Sequence, residues 1–330
     1  MAALHAGDRL VAGVDLGGTN VRTCIARADG AILAQARTPT PADAGPAAVV
    51  AQIEAGVRQV AMTAGVGVAQ LAGVGVGAPG PLDMHSGVVF SPPNLTGWHD
   101  VPLAAMLRDI LGIPAHIGND ANLAAVGERT FGAGRGIDNL VYMTVSTGIG
   151  GGVIIAGKLF VGSSGTAAEI GHMTVDLHGP RCKCGNIGCL EALAAGPAIA
   201  RAGREATREA PECRLLALAG GDPGQVTTSL VVQAAQEGDA TALAVFNRAA
   251  EAIGVGCVNL INLFNPRRII IGGGVSQAGD LLFTPVRRVV AERALPSPRD
   301  ACTIVPAGLG DDCGLYGAVS LVAHGIETLV

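Results

Sequence analysis

The sequence predicts a two-lobed α/β protein built on a repeated strand–turn–strand unit. Three observations carry this. The chain has 330 residues, long for one compact domain, so two lobes or two close domains are the default. Short apolar runs of strand length alternate with stretches whose apolar residues fall at helical spacing. A strand–turn–strand carrying Gly and Thr occurs once in each half, which suggests a duplicated fold with a cleft between the halves.

The elements follow in order. Arg9 to Val14 is a short apolar run ending in Asp15-Leu16-Gly17-Gly18-Thr19, a buried strand and a tight turn. Val21 to Ala28 and Ala31 to Thr38 are two further strands, joined by Asp29-Gly30, the dipeptide that supplies positive φ to a hairpin. Pro39 to Pro46 is a loop, and Val49, Val50, Ile53, Val57 and Val60 mark a helix running to Thr63. Leu71 to Ala78 alternates Gly with Val and fits a strand packed closely on its neighbours. Leu103 to Leu111 is helical, with Gly112 just past its end. Pro114 to Ile117 is a strand leading into Gly118-Asn119-Asp120, and Ala121 to Phe131 is a helix. Leu140 to Val145, the turn Ser146 to Gly152 and the strand Val153 to Ala156 then repeat the opening pattern.

Composition narrows the class. Apolar residues make up 49% of the chain but aromatics only 3%, so the core is built from Ala, Val, Leu and Ile. The 49 glycines mark many turns and close backbone approaches. The net charge is −5 with no block of like charges, which argues against a nucleic-acid or anionic-membrane surface. Met1 to Leu10 has no apolar h-region, so no signal peptide is expected. Two charge-poor stretches, Gln59 to Leu82 and Asn139 to Gly157, are cut by Gly, Pro, Ser or Thr at turn spacing and read as buried strands rather than membrane spans. The eight cysteines do not form a secreted disulfide pattern.

Five motifs can carry chemistry. In Asp15-Leu16-Gly17-Gly18-Thr19-Asn20, the glycines let backbone N–H groups approach a phosphate, Thr19 adds a hydroxyl and Asp15 could hold Mg²⁺ directly or through water. Alone it is equally an ordinary glycine turn, and no Gly-Lys-Ser/Thr follows to make it a Walker A loop. Thr144 to Gly152 holds four glycines in an apolar hairpin, more than a structural turn needs, and close approach of a phosphate explains the excess. Asn119-Asp120-Ala121-Asn122 follows a short strand. A lone Asp there is a helix N-cap, but a carboxylate at a strand end over a cleft is also where a general base for a hydroxyl sits. His172, Cys182, Cys184 and Cys189 fall within 18 residues, a composition standard for structural zinc, with Glu169 and Glu191 bracketing it as ligands of sugar hydroxyls or as plain surface charges. No Cys-x-x-Cys is present to favour redox chemistry. Ile269 to Ser276 is a buried strand running into Gly272-Gly273-Gly274, able to back a nucleotide's base and ribose.

Together these motifs resemble the ROK family (repressor, open reading frame, kinase) of bacterial sugar kinases and sugar-responsive repressors. The likeness spans Val11 to about Gly325 in the family order. Its most specific piece is Glu169-Ile170-Gly171-His172 followed by Cys182-Lys183-Cys184-Gly185-Asn186-Ile187-Gly188-Cys189-Leu190-Glu191. Gly77-Ala78-Pro79-Gly80-Pro81-Leu82-Asp83 and Pro93-Asn94-Leu95-Thr96-Gly97-Trp98 point to the glucokinase branch.

The resemblance implies an actin-like, ribonuclease-H-like ATPase fold of two α/β domains closing on a cleft. The expected division is 1–118 for the N-terminal domain, with a C-terminal helix near 314–330 packing back on it, and 119–313 for a larger domain carrying the zinc loop 172–189. It implies Asp120 as catalytic base and Gly80, Asn94, Asn119, Asp120, Glu169, His172 and Glu191 as sugar ligands. ATP would be held by Asp15, Gly17, Gly18, Thr19, Asn20, Thr147, Gly148, Gly273 and Gly274, with Mg²⁺, and structural Zn²⁺ by His172, Cys182, Cys184 and Cys189. The implied reaction is phosphorylation of a hexose O6, with glucose favoured over N-acetylglucosamine, N-acetylmannosamine, mannose, fructose or allose, and ATP favoured over polyphosphate. A cytoplasmic homodimer or homotetramer without nucleic-acid or membrane partners is expected. Repressors of this fold carry a helix-turn-helix before the first phosphate motif. Only fourteen residues precede Asp15, so a kinase is expected rather than a repressor.

Overall fold

A computed structural model of the chain describes residues 9–330. The elements are, in chain order, β1 (Leu10–Leu16), β2 (Asn20–Arg27), β3 (Ile32–Pro39), α1 (Pro46–Thr63), β4 (Val74–Ala78), β5 (Leu82–Asp83), β6 (Val88–Val89), α2 (Leu103–Leu111), β7 (Ala115–Asn119) and α3 (Asp120–Phe131). There follow β8 (Leu140–Val145), β9 (Ile149–Ile155), β10 (Lys158–Leu159), α4 (Leu190–Ala194), α5 (Gly196–Glu209), α6 (Arg214–Leu218), α7 (Thr228–Gln236) and α8 (Ala240–Phe264). The chain ends with β11 (Arg268–Gly272), α9 (Asp280–Arg293), α10 (Pro296–Ala301), β12 (Thr303–Pro306), α11 (Cys313–His324) and α12 (Ile326–Leu329).

The chain divides into two compact units. The first holds the described residues up to 138 together with 152–168 and 307–330, and the second holds 139–151 and 169–306. The boundary expected at 118 therefore falls inside the first unit. The reason is α3, which packs along α11 and the first sheet and so stays with them.

In the first unit the sheet order is β3-β2-β1-β4-β7. β1, β2 and β3 form antiparallel hairpins, while β4 and β7 add in parallel. The second sheet has the order β10-β9-β8-β11-β12, with β8, β11 and β12 parallel. Both sheets thus begin with the strand–turn–strand that recurs in the sequence, then add two crossover strands on the same side.

The Gly-Val alternation of β4 has a physical cause. A Cβ on Gly75 would lie 2.1 Å from the Ala318 carbonyl oxygen, so α11 rests directly on the glycine face of the strand. Val11, Cys24, Ala26, Leu315, Val319 and Val322 close the core around this contact. The β2–β3 turn forms at Asp29-Gly30, with Gly30 at φ 94° and the Asp29 carboxylate accepting from the Ala31 N–H at 3.0 Å. α2 ends at Gly112 in the left-handed region, φ 70°.

The second unit is organised by α8. Asp239 caps it by accepting from the Ala242 N–H at 2.7 Å, and Asn265 ends it in the left-handed region. Phe246, Ala250, Ile253, Cys257 and Ile261 are buried on one face, against α9 and the neighbouring helices α4, α5 and α7. α8 is long and apolar enough to cross a membrane by length and composition, and half of its most apolar window is buried within the fold. Of the two charge-poor stretches, the first is not strand throughout: Gln59–Thr63 completes α1, and the strand starts only at Val74.

Candidate functional site

The first candidate phosphate motif is the β1–β2 turn. The Gly17 N–H donates to the Asn20 carbonyl at 2.9 Å, and the Thr40 hydroxyl donates to the Gly17 carbonyl at 2.7 Å. Gly18 faces Asn94 so closely that a Cβ would stand 2.9 Å from the Asn94 Cβ. Asp15 lies directly across the ladder from Arg22. The Arg22 Nε donates to its carboxylate at 3.1 Å, and Nη2 of Arg22 is bonded to the same oxygen. The Arg22 Nη1 also reaches Asp312 at 3.3 Å. Burial lowers the pKa of this guanidinium, and Asp15 and Asp312 raise it by more, leaving it above its ordinary value. Arg22 and Asp312 were not singled out from sequence. Arg22 had a signal, since seven residues from Asp15 through a tight turn is a cross-strand position. Asp312 had none.

Asp120 opens α3 at the end of β7, half-buried, and its Oδ1 accepts from the Ala121 N–H at 2.7 Å. The N-cap is Asn119, whose Oδ1 accepts from the Asn122 N–H at 3.2 Å. The capping role that a lone Asp would fill is therefore taken by its neighbour. Gly80 abuts Asn119, with a hypothetical Cβ 3.1 Å from its Nδ2, and Gly77 lies against the Asp120 Cα. The first unit thus brings together Gly80, Asn119 and Asp120 at the ends of β4 and β7, and separately Gly18 with Asn94.

The glycine-rich segment Thr144 to Gly152, all but Gly152 in the second unit, is mostly strand, because β9 already begins at Ile149. Two of its four glycines serve packing. A Cβ on Gly151 would meet the Ile170 side chain at 2.1 Å, and one on Gly152 the Ala125 methyl at 2.6 Å. The expectation that phosphate approach explains the whole glycine excess is corrected accordingly. Gly148 is fixed by a side chain too, since a Cβ there would stand 2.6 Å from the Glu191 Oε2. That oxygen accepts from the Ile149 N–H at 2.9 Å, so Glu191 is no plain surface charge.

A cavity of about 710 Å³ opens beside this hairpin. It is lined by Thr147 and Gly274 among the expected residues, and by Arg204, Gln233, Gln236 and Gln277 among those that sequence reasoning missed. Arg204, Gln233 and Gln236 sit on α5 and α7, where nothing in the sequence separates them from solvated surface, whereas Gln277 lies one residue past the motif ending at Ser276. Gly273 has φ 84°, and a Cβ there would lie 2.5 Å from the Val145 carbonyl oxygen, so only glycine fits.

His172, Cys182, Cys184 and Cys189 converge, with one ligand atom from each lying within 4.8 Å of all the others. The Cys182 Sγ is 3.8 Å from the His172 Nδ1, and the Cys184 Sγ is 3.7 Å from the Cys189 Sγ. A tetrahedral zinc ion with Zn–S of about 2.3 Å and Zn–N of about 2.0 Å needs edges of roughly 3.5–3.8 Å, so the donor set fits the metal. Asn186 Nδ2 donates toward the Cys189 Sγ at 3.4 Å, the kind of outer hydrogen bond that steadies a thiolate ligand. Glu169 is exposed and starts the turn that carries His172, whose N–H donates to the Glu169 carbonyl at 3.0 Å.

The sheet pattern and the Cys₃His loop place the chain among sugar-kinase-like α/β proteins, and the comparisons agree. The chain belongs to the ROK family, which it matches over residues 11–324. It is 38% identical over 314 residues to a glucokinase of Thermotoga maritima, covering 95% of this chain and 97% of that protein. It superposes with a TM-score of 0.83 on the crystal structure of a ROK family glucokinase from Streptomyces griseus in complex with glucose and AMPPNP, at 36% identity over 96% of this chain and 100% of that one. Regulators share part of the likeness: a xylose repressor of Caldicellulosiruptor bescii is 35% identical over 76% of this chain but only 62% of that protein.

Proposed function

We propose that this chain is an ATP-dependent glucokinase that transfers the γ-phosphoryl group of ATP to the 6-hydroxyl of glucose, with Asp120 as general base. The observation that carries the assignment of the base is the division of labour at the start of α3. Asn119 caps the helix, so Asp120 holds its carboxylate at the positive end of the helix without being spent as the cap. The near-full-length likeness to glucokinases supports glucose as the sugar and ATP as the donor.

The two units are read as the two lobes of the kinase. Asp120 accepts the O6 proton as the new P–O bond forms, and Asn94, Asn119, Glu169, His172 and Glu191, with the Gly80 backbone, orient the sugar. The turn at Gly18 and Thr19 and the hairpin at Thr147 and Gly148 offer backbone N–H groups and hydroxyls to the phosphates, the Gly17 N–H being engaged by the Asn20 carbonyl. The 710 Å³ cavity, with Gly274 on its wall, takes the adenosine. Mg²⁺, when bound with ATP, spreads the charge of the phosphates. Asp15 would hold such an ion through water, its carboxylate being already paired with Arg22. The Cys₃His set is a structural zinc site, because four protein ligands leave no position for substrate. Nδ1 of His172 faces the Cys182 Sγ and would bind the metal, which would leave Nε2 for a sugar hydroxyl. A cytoplasmic location accords with this chemistry.

The test is Asp120→Asn in an ADP-coupled assay across a hexose panel, with glucose binding followed by calorimetry. Binding is kept and turnover falls by about 10²–10⁴, or more if positioning also suffers. Near-normal turnover would remove Asp120 from the role, and a better substrate than glucose in the wild-type panel would replace the sugar.

A further inference from the structure

The Cys₃His set and the tip of the β8–β9 hairpin are held by the same short helix. α4 starts immediately after Cys189, a member of the Cys₃His set. Its second residue, Glu191, accepts from the Ile149 N–H at 2.9 Å, on one side of the hairpin tip. Just beyond its end, the Gly196 N–H donates to the Ser146 carbonyl at 2.8 Å, on the other side. The opposite arm of the loop does the same. Gly171, next to His172, sits so close to Ile149 that a Cβ would lie 2.1 Å from the Ile149 carbonyl oxygen, and Ile170 fills the space left by Gly151. The Leu190 N–H donates to the Met173 carbonyl at 2.9 Å and ties the two arms together one residue beyond His172 and Cys189.

All of these supports except Gly196, which follows α4, are close neighbours in sequence of His172 or Cys189. None of the loop's cysteines is in a disulfide, so the arms are joined covalently only through the chain itself. Closing the Cys₃His set fixes the distance between the arms, and thereby the positions of Glu191, Gly171 and Gly196.

We infer that Glu191 is a positioning residue that transmits closure of the Cys₃His set to the hairpin at Ser146 to Ile149, so that metal content sets the grip on the nucleotide. The inference rests on the proposed kinase reading only for the identity of the ligand at the hairpin. The coupling itself is a property of the second unit. Its physical basis is one charge-assisted hydrogen bond from a buried backbone N–H to a half-buried carboxylate, a stronger bond than a neutral pair. A glutamine at 191 keeps an oxygen able to accept from Ile149, whereas alanine keeps nothing. A residue that only touched the sugar would leave the unliganded hairpin unaffected by either change.

The experiment uses the full chain, zinc-loaded and verified by metal analysis, with no sugar present. Hydrogen exchange of a peptide spanning 144–151 is compared in wild type, Glu191→Gln, Glu191→Ala and wild type stripped by a strong chelator. A peptide spanning the β1–β2 turn serves as internal control. Exchange at the hairpin is expected to quicken by roughly tenfold in Glu191→Ala with zinc still bound, and less in Glu191→Gln. The stripped protein should match Glu191→Ala at the hairpin while the control peptide stays protected. Affinity for a non-hydrolysable ATP analogue should fall in the same order. A zinc-loaded Glu191→Ala variant that retains full hairpin protection overturns the inference, as does a stripped wild type with an undisturbed hairpin. If the exchange pattern holds but no form, wild type included, binds the analogue, the kinase reading fails and the coupling stands.

Discussion

The change Gly317→Ala tests how α3, and Asp120 with it, is held in place. Gly317 lies on α11 where that helix crosses α3, and a Cβ added there would stand 1.9 Å from the Leu123 carbonyl oxygen and 2.3 Å from its carbon. The crossing is tight from both sides, since a Cβ on Gly127 of α3 would lie 2.5 Å from the Cys313 carbonyl oxygen. These are backbone atoms, so no rotamer change relieves the clash. Reaching even the 3.0 Å that Cβ contacts respect requires the helices to part by about 1.1 Å at this point. On helix propensity alone, Gly to Ala would stabilise by about 1 kcal/mol. Overpacking costs about 1–3 kcal/mol, and a backbone clash belongs at the upper end, so a net loss of about 2 kcal/mol is expected. That corresponds to a fall in melting temperature of roughly 4–8 °C for a unit of this size. Leu123 is on the first turn after Asp120, so the displacement reaches the carboxylate. Misplacement by an ångström costs about 10² in kcat. Thermal unfolding and steady-state phosphorylation read the two effects. A variant at least as stable as wild type, with kcat intact, would refute the close-crossing argument, because the sign itself distinguishes clash from propensity.

Three further outcomes follow from particular contacts. Glu128 is fully buried and accepts from the N–H groups of Ala133, Gly308 and Leu309 at 2.7, 3.1 and 2.9 Å. Glu128→Gln turns an NH₂ toward one of these donors and should cost about 2–3 kcal/mol, with faster proteolysis near 133 and 308; unchanged unfolding and cleavage would contradict it. Modification of the Cys₃His thiols should release one equivalent of zinc per chain and lower the melting temperature, and metal analysis finding none would dismiss the site. Burial pushes the thiols of Cys24 and Cys257 up to about 12, so at pH 8 both remain protonated and resist alkylation until the chain unfolds. Labelling of native protein at either position would show that the packing around it is wrong.

Local chemistry made part of this protein legible in its sequence. Asp29-Gly30 names its own turn, the α1 and α2 stripes give their helices, and one His and three Cys side chains within a short loop meet as their spacing suggests. Contacts between residues distant in sequence were not legible. Arg22 and Asp312 are 290 positions apart, and no periodicity links them. The helices lining the 710 Å³ cavity present Arg204, Gln233 and Gln236 in the pattern of any solvated face. The glycines show why a count misleads. Gly148, Gly151 and Gly152 share one run, yet Gly148 makes room for a carboxylate, Gly151 for an isoleucine and Gly152 for a neighbouring helix. Only the partners reveal the reasons, and the partners lie elsewhere in the chain.

Asp120 draws on both kinds of information. Aspartate is a strong N-cap, so a helix that began with Asp alone would bind its carboxylate to the third amide of the helix and turn it inward. Placing Asn119 before it changes which residue is the cap. The Asn side chain takes the Asn122 N–H, and Asp120 moves to the first helical position, where its Oδ1 accepts from the adjacent Ala121 N–H. There the carboxylate gains the favourable field of the helix start without the geometry of the cap. An Asn119→Ala change should therefore do more than remove about 1 kcal/mol of capping. It leaves the Asn122 amide without its partner and makes Asp120 the nearest replacement, so its carboxylate is drawn back toward the helix. If the base is Asp120, kcat falls by far more than the loss of stability accounts for, while an Asn119→Ser variant, able to cap, recovers the Asp120 geometry and restores kcat more than it restores sugar affinity. Equal activity in the alanine and serine variants would show that the cap and the base are independent.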